Sequence, residues 1–205
     1  MISKIKYLFK LLRFLFQLSL TKIQKKNISL IIGAGNTNYK YWVSSDYPFV
    51  DITEQKTLKK FFKKNEVKNI LAEHVFEHLT FDEGVKAIKN IKYILKKGGR
   101  IRMAVPDGYN PSKDYIDWIK PRGIGPGAND HKILYNCNSV KKIFDKDWKI
   151  DLLEYFDEKG NFINNFYKND INNGYIKRSR YNDKRNSKTK IKYNSIILDA
   201  TLIVK

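Results

Sequence analysis

Cysteine is almost absent from this chain of 205 residues: Cys137 stands alone, which excludes an internal disulfide and suits a reducing compartment. Long apolar runs are missing from the N-terminal segment as well. Residues 1–26 contain no acidic side chain, yet their longest uncharged run, Phe14 to Thr21, falls far short of the roughly 20 residues that a membrane-spanning helix needs. Lys10 and Arg13 interrupt the apolar region and no small-residue cleavage site follows, which argues against a secretory signal. No internal repeat or composition break divides the rest, so the length fits one domain, residues 27–205, with a sizeable core. Histidine is scarce, with only His74, His78 and His131.

What is abundant is positive charge, a formal net of +19. Such an excess ordinarily suggests nucleic acid or an anionic membrane. Lys, Asn and Ile are frequent throughout, however, so the excess reads first as compositional bias. In residues 1–26, Lys6, Lys10, Arg13 and Gln17 fall on one narrow helical stripe, while Ile5, Leu8, Phe9, Leu12, Leu15 and Phe16 occupy the remaining surface. That pattern predicts a basic amphipathic helix lying on an anionic membrane surface, with packing on its own domain as the alternative.

The chain is organised around Val67 to Asp107. Val67 to Ala72 is a short apolar run ending on Glu73 and His74, as a buried parallel strand would. Thr80 to Glu83 forms a capping box that opens a helix, and Gly98-Gly99 is expected to stop it. Ile101 to Val105 gives a second strand, ending on Pro106-Asp107. A right-handed strand–helix–strand unit sets the two strands parallel and delivers both polar corners to one carboxyl edge, where such folds bind ligands.

Ahead of this unit, Asn27 to Ile32 reads as a strand running into Gly33-Ala34-Gly35-Asn36, a turn that lets backbone approach a polar ligand closely. Tyr41 to Ser45 reads as the next strand, ending on Asp46, whose carboxylate is placed to accept hydrogen bonds from ribose hydroxyls. Asp51-Ile52-Thr53 forms a further acidic corner, followed by a short helix around Thr57 to Lys64. A nicotinamide dinucleotide is disfavoured. Its fingerprint needs a third glycine where Asn38 stands and an acid about 20 residues on, whereas Asp46 follows Gly35 by only 11 residues.

His74, Glu77 and His78 match the HxxEH spacing of inverted zinc peptidases. His74 falls at a strand terminus before the Thr80 cap, so the two histidines would not share a helical face. The expectation is that Glu77 and His78 brace the loop, with no metal. Residues 108–137 are rich in turn formers and read as a lid-like loop containing a short helix with Tyr115 and Trp118. His131 within it is the candidate general base, with Asp107 as its orienter or replacement. Ser139 to Asp145 reads as a helix, and Trp148 to Tyr155, Phe162 to Tyr167 and Ser195 to Val204 as strands. Residues 177–192 form a basic insertion, expected to be solvated.

These motifs occur in the order seen in class I S-adenosylmethionine-dependent methyltransferases: Gly33-Ala34-Gly35, Trp42 to Asp46, Asp51 to Thr53, AEHVFEHL over Ala72 to Leu79, LKKGGR over Leu95 to Arg100, and Val105 to Asp107. The chain is similar to methyltransferases associated with bacterial cell-surface saccharide synthesis, over roughly residues 28–145. It departs from the pattern in LKKGG for LKPGG and in lacking a long helix after the Gly turn. The resemblance implies a Rossmann-like α/β fold, mostly parallel with a C-terminal antiparallel strand, binding S-adenosyl-L-methionine. It implies that Gly33, Ala34, Gly35 and Asn36 line the methionine portion, that Asp46 holds the ribose, that Asp51 and Ile52 sit near the adenine, and that Glu73, His74 and Val75 border the sulfonium. A saccharide, lipid-linked or nucleotide-activated, is the expected acceptor, handled at the cytosolic face of the membrane. The rival readings are a methyltransferase acting on RNA and a non-catalytic membrane-associated binding module.

Overall fold

The computed structural model describes residues 4–165 and 171–204. Strands β1 (Ile28–Ile32), β2 (Val43–Ser44), β3 (Val67–Glu73) and β4 (Leu95–Pro106) pair in parallel. β7 (Ser195–Leu202) runs antiparallel to both β4 and β5 (Trp148–Phe156), and β6 (Phe162–Asn164) pairs antiparallel with β5. The seven form one sheet in the order β2-β1-β3-β4-β7-β5-β6. This is a Rossmann-like α/β fold with a C-terminal antiparallel strand, as expected. Residues 166–170, which hold the end of the expected strand Phe162 to Tyr167, lie outside the described residues.

Helix α3 (Phe81–Ile94) opens on a complete capping box, with Thr80 Oγ1 accepting from Glu83 N and the Glu83 carboxylate accepting from Thr80 N. It ends before the paired glycines. Leu95 is already extended, fully buried and opposite Val67 of β3, so burial and strand pairing overrule continued helix. The chain then departs from register until Arg100 stands opposite Asn69, and Gly98 supplies the positive φ of that excursion. β2 is also shorter than the expected Tyr41 to Ser45, because Tyr41 has φ +69° and cannot extend it. Helix α2 spans Gln55–Phe61 and α4 spans Lys113–Ile119, the latter capped by Ser112. In place of a helix over Ser139 to Asp145 there is only a 3-10 turn, Val140–Ile143.

Helix α1 (Lys4–Ile23) packs on the domain by a seam the sequence reading missed. Tyr7, Leu11, Phe14 and Leu18, at 4-3-4 spacing, face the core. Phe14 is fully buried against the rings of Phe49, Phe61 and Phe62. Part of the polar stripe turns inward beside that seam. Lys10 pairs with Asp46, while Gln17 donates to Asn38 and accepts from the Ser44 backbone N–H, both at 2.9 Å. Ser44 lies on an edge strand, and Gln17 covers part of its open edge. The opposite side of α1 leaves Ile5, Phe9, Phe16 and Ile23 about 70–80% exposed. No helix among the described residues is long and apolar enough to cross a membrane.

Replacing Phe14 by Ala should cost about 3–5 kcal/mol of stability in urea unfolding, the usual range for an emptied aromatic site. A loss below about 1 kcal/mol would show that α1 is not part of the cooperative fold.

Candidate functional site

The carboxyl ends of β1 and β3 open on a cavity of about 350 Å³, lined by residues 33–37, Glu73, His74, Lys177 and Arg178. Its floor is backbone. Gly33 and Gly35 both have positive φ, and a Cβ on Gly33 would lie 2.6 Å from Val75 Cγ2, so glycine lets the turn pass beneath that side chain without strain. Ala34 N donates to Ser45 O and Ser45 N to Ile31 O, which fastens the turn to the end of β2. A larger groove, about 700 Å³, lies along Val85 to Lys92 and Leu202, by the amino ends of the parallel strands. The smaller cavity is the better candidate, because it sits at the carboxyl edge against the glycine turn.

One wall comes from the segment expected to be a solvated insertion. Lys177 Nζ donates to Thr37 Oγ1 at 3.0 Å and lies over the Tyr39 ring, and Arg178 N donates to Glu73 Oε1 at 2.8 Å. Asn186 stitches the segment together, donating to Arg180 O and Tyr193 O and accepting from Lys192 N and Tyr193 N. Arg185 stacks on Tyr193 and pairs with Asp183. Basic residues interleaved with Asn and Tyr were the available signal that this segment is folded rather than solvated.

His74 ends β3 with φ +55°, a conformation in which His is more common than most residues. Its Nε2 lies 2.9 Å from Ser195 Oγ at the start of β7. Its Nδ1 lies 2.9 Å from Glu77 Oε1. Glu77 is buried in a 3-10 turn, Phe76–His78, so His74 and His78 share no helical face. Burial disfavours the Glu77 charge, but the adjacent His74, a backbone N–H and His78 together outweigh it and hold the carboxyl below its ordinary value.

The other expected residues disperse. Asp46 ends the β2 corner as expected, but its Oδ2 is taken by Lys10. Asp51 folds back on Thr53, accepting from its N and Oγ1, and Ile52 belongs to the core. Asp107 is fully buried and accepts from Tyr109 N, Phe156 N and Asn194 Nδ2. Burial pushes its carboxyl above the ordinary value against the pull of those bonds, and none of its partners is in the cavity. It braces the corner. The loop over residues 108–137 is pinned rather than free: Gly108 N donates to Tyr135 O, and Tyr115 OH bridges Asp107 N and Asn194 O. His131 comes to lie against His78, ring centroids 4.9 Å apart, with its Nδ1 on Ile119 O.

No family model matches the sequence, and no curated protein does either. Similar solved structures include a SAM-dependent methyltransferase of Thermotoga maritima, at 10% identity and TM-score 0.49, with 97% of this chain and 93% of that one covered. Another is a SAM-dependent methyltransferase of Archaeoglobus fulgidus, at 14% identity and TM-score 0.46, with 93% of each chain covered. The YcgJ protein of Bacillus subtilis is similar at 11% identity and TM-score 0.46, over 93% of this chain and 99% of that one.

Glu154 of β5 holds the wall segment in place. It is fully buried and accepts the Arg180 N–H on both oxygens, and burial pushes its carboxyl from 4.5 up to about 8. Between those values the native state binds the proton that the unfolded chain has lost, so stability falls as the pH rises through that window. Relative to Glu154→Gln, the wild type should lose on the order of 1 kcal/mol per pH unit between pH 5 and 8 in urea unfolding. A constant gap would mean that the carboxyl is ionised in the fold.

Proposed function

We propose that this chain is an S-adenosylmethionine-dependent methyltransferase that uses the cavity at the ends of β1 and β3. The observation that supports this best is the make-up of that cavity, a glycine turn facing one carboxylate and two basic residues. The amino-acid end of the cofactor is a zwitterion. Glu73 is the group to hold its ammonium, and Lys177 and Arg178 are the groups to hold its carboxylate, beside the backbone of Gly33, Ala34, Gly35 and Asn36. His74 and Val75 border the turn at the end where the sulfonium is expected. Asp46 keeps its proposed role toward the ribose through the oxygen not taken by Lys10, with Asp51 and Ile52 toward the adenine.

When bound, the cofactor supplies an electrophilic methyl group. The chain's own task is then to exclude water and align the acceptor. Asp107 is engaged by three donors, so His131, which lies outside the cavity lining on the far side of His74 with Nε2 available, is the remaining candidate to receive the acceptor's proton.

The acceptor we favour is a saccharide, lipid-linked or nucleotide-activated, made at a membrane surface. What supports the surface is α1. Its exposed apolar side is neighboured by the exposed Lys4, Lys25 and Lys26, a pairing suited to anionic lipid. An RNA substrate is less well supported, because the basic segment folds onto the cavity instead of presenting a free phosphate-binding face.

Calorimetry with S-adenosylhomocysteine tests the cofactor. Wild type should bind, Asp46→Ala should bind roughly tenfold or more weakly, as loss of charge-assisted hydrogen bonds implies, and Lys10→Ala, which keeps the carboxylate, should bind at least as well as wild type. No heat with folded wild type would end the reading. For the membrane, the full chain should co-sediment with phosphatidylserine-containing vesicles more than with neutral ones, and Phe9→Ser/Phe16→Ser should lower that fraction. Equal sedimentation of both proteins would remove α1 as the contact.

A further inference from the structure

The three histidines of the chain, dispersed over 58 positions of sequence, meet around one buried carboxylate. Backbone bonds bring them together: Lys132 N and Ile133 N both donate to Glu77 O, at 2.7 and 3.3 Å, which lays His131 beside the Phe76–His78 turn. One ligand atom each from Glu77, His78 and His131 then lies within 4.8 Å of the others.

Several features mark this cluster as more than loop bracing. Glu77 is 1% exposed, and while His74 Nδ1 lies 2.9 Å from its Oε1, its buried Oε2 has no hydrogen-bond donor among the described residues, a deficit that a further ligand would fill. His131 Nδ1 faces the Ile119 carbonyl at 2.7 Å. A carbonyl only accepts, so Nδ1 must carry the hydrogen, which leaves the Nε2 lone pair directed elsewhere. That is the way a histidine ligand is oriented by a backbone partner. Asp130 Oδ1 lies 3.0 Å from His78 Nδ1 and brings a second carboxylate to the rim. His78 is about one-third exposed, so the cluster opens to solvent on that side.

We propose that Glu77, His78 and His131 form a binding site for a divalent transition-metal ion. Two imidazoles and one carboxylate suit Mn²⁺, Fe²⁺, Co²⁺ or Zn²⁺ and leave coordination positions open. Ligand atoms around a metal at about 2.1 Å stand roughly 3.4 Å apart, so the cluster closes with small side-chain movements. His74 is not a ligand. Its ring separates the cluster from the cavity, touching Glu77 on one side and lining the cavity on the other. The chelating set is therefore not the HxxEH triplet but Glu77, its neighbour His78 and the distant His131. Resting on the methyl-transfer reading, the ion would hold an acceptor hydroxyl and favour its ionisation, which replaces proton removal by His131.

The test is metal binding, which does not depend on turnover. The tag-free 205-residue chain, freed of metal with a chelator, is titrated with Co²⁺ and followed by its visible absorption, with Mn²⁺ followed by calorimetry. One equivalent should bind, and Glu77→Gln, His78→Asn and His131→Asn should each weaken binding at least tenfold, with circular dichroism confirming the fold. His78 and His131 are partly exposed, so their variants keep the test open where Glu77→Gln fails to fold. No binding by wild type, or binding unchanged in the two histidine variants, would overturn the site. Retained S-adenosylhomocysteine binding alongside either result would leave the methyltransferase reading standing.

Discussion

A single buried carboxylate organises the working edge of this fold. Asp107, at the carboxyl end of β4, accepts from Tyr109 N in the following loop, from Phe156 N at the end of β5 and from the Asn194 side chain just before β7. Two sheet neighbours and the loop are thereby held to one point. Burying the charge is costly, and three donors offset that cost only while all are in place. The neighbouring Tyr115 adds a second tie, because its hydroxyl accepts from Asp107 N and donates to Asn194 O. The wall segment is tied to this junction at its end, through Asn194.

The parallel core was legible because its signals are local and redundant. Capping at Thr80, the apolar run of β3 and the polar corners after it all say the same thing, and the structure agrees. Boundaries failed where tertiary packing competed with local chemistry. Gly98 and Gly99 look like a helix stop, but Leu95 is drawn into the sheet first and the glycines serve an excursion within β4. Of the candidate cofactor residues, the structure gathers Gly33, Ala34, Gly35, Asn36, Glu73 and His74 around one cavity, with Val75 resting on Gly33. The roles of Asp46, Asp51 and Asp107 could not be read from sequence, since each depends on a partner chosen only on folding: Lys10, Thr53, and the β5 and Asn194 donors.

The N-terminal helix shows the same limit from the other direction. A helical wheel correctly finds a narrow polar stripe, but a wheel has no knowledge of which side meets protein. The edge of β2 presents an unpaired N–H and Asp46 a carboxylate, so Gln17 and Lys10 are more useful inside than outside. Phe14 and Leu18 follow them inward, and the greater part of the apolar surface is left facing out. Polar pairing at Lys10 and Gln17 and hydrophobic burial along the Phe14 seam act on the same side of the helix, and the buried seam is the larger contribution.

The cavity wall has a dual identity that ties ligand to architecture. Arg178 lines the cavity while its carbonyl accepts the Ser195 hydroxyl, and Ser195 is the first residue of β7, the strand that joins the parallel half of the sheet to β5 and β6. A molecule gripping that wall therefore adds its binding free energy to the adhesion of the two halves, in proportion to the logarithm of its concentration above its dissociation constant. Occupancy and sheet integrity become linked functions, so a molecule held there would raise amide-exchange protection along the β4–β7–β5 seam as well as around the glycine turn.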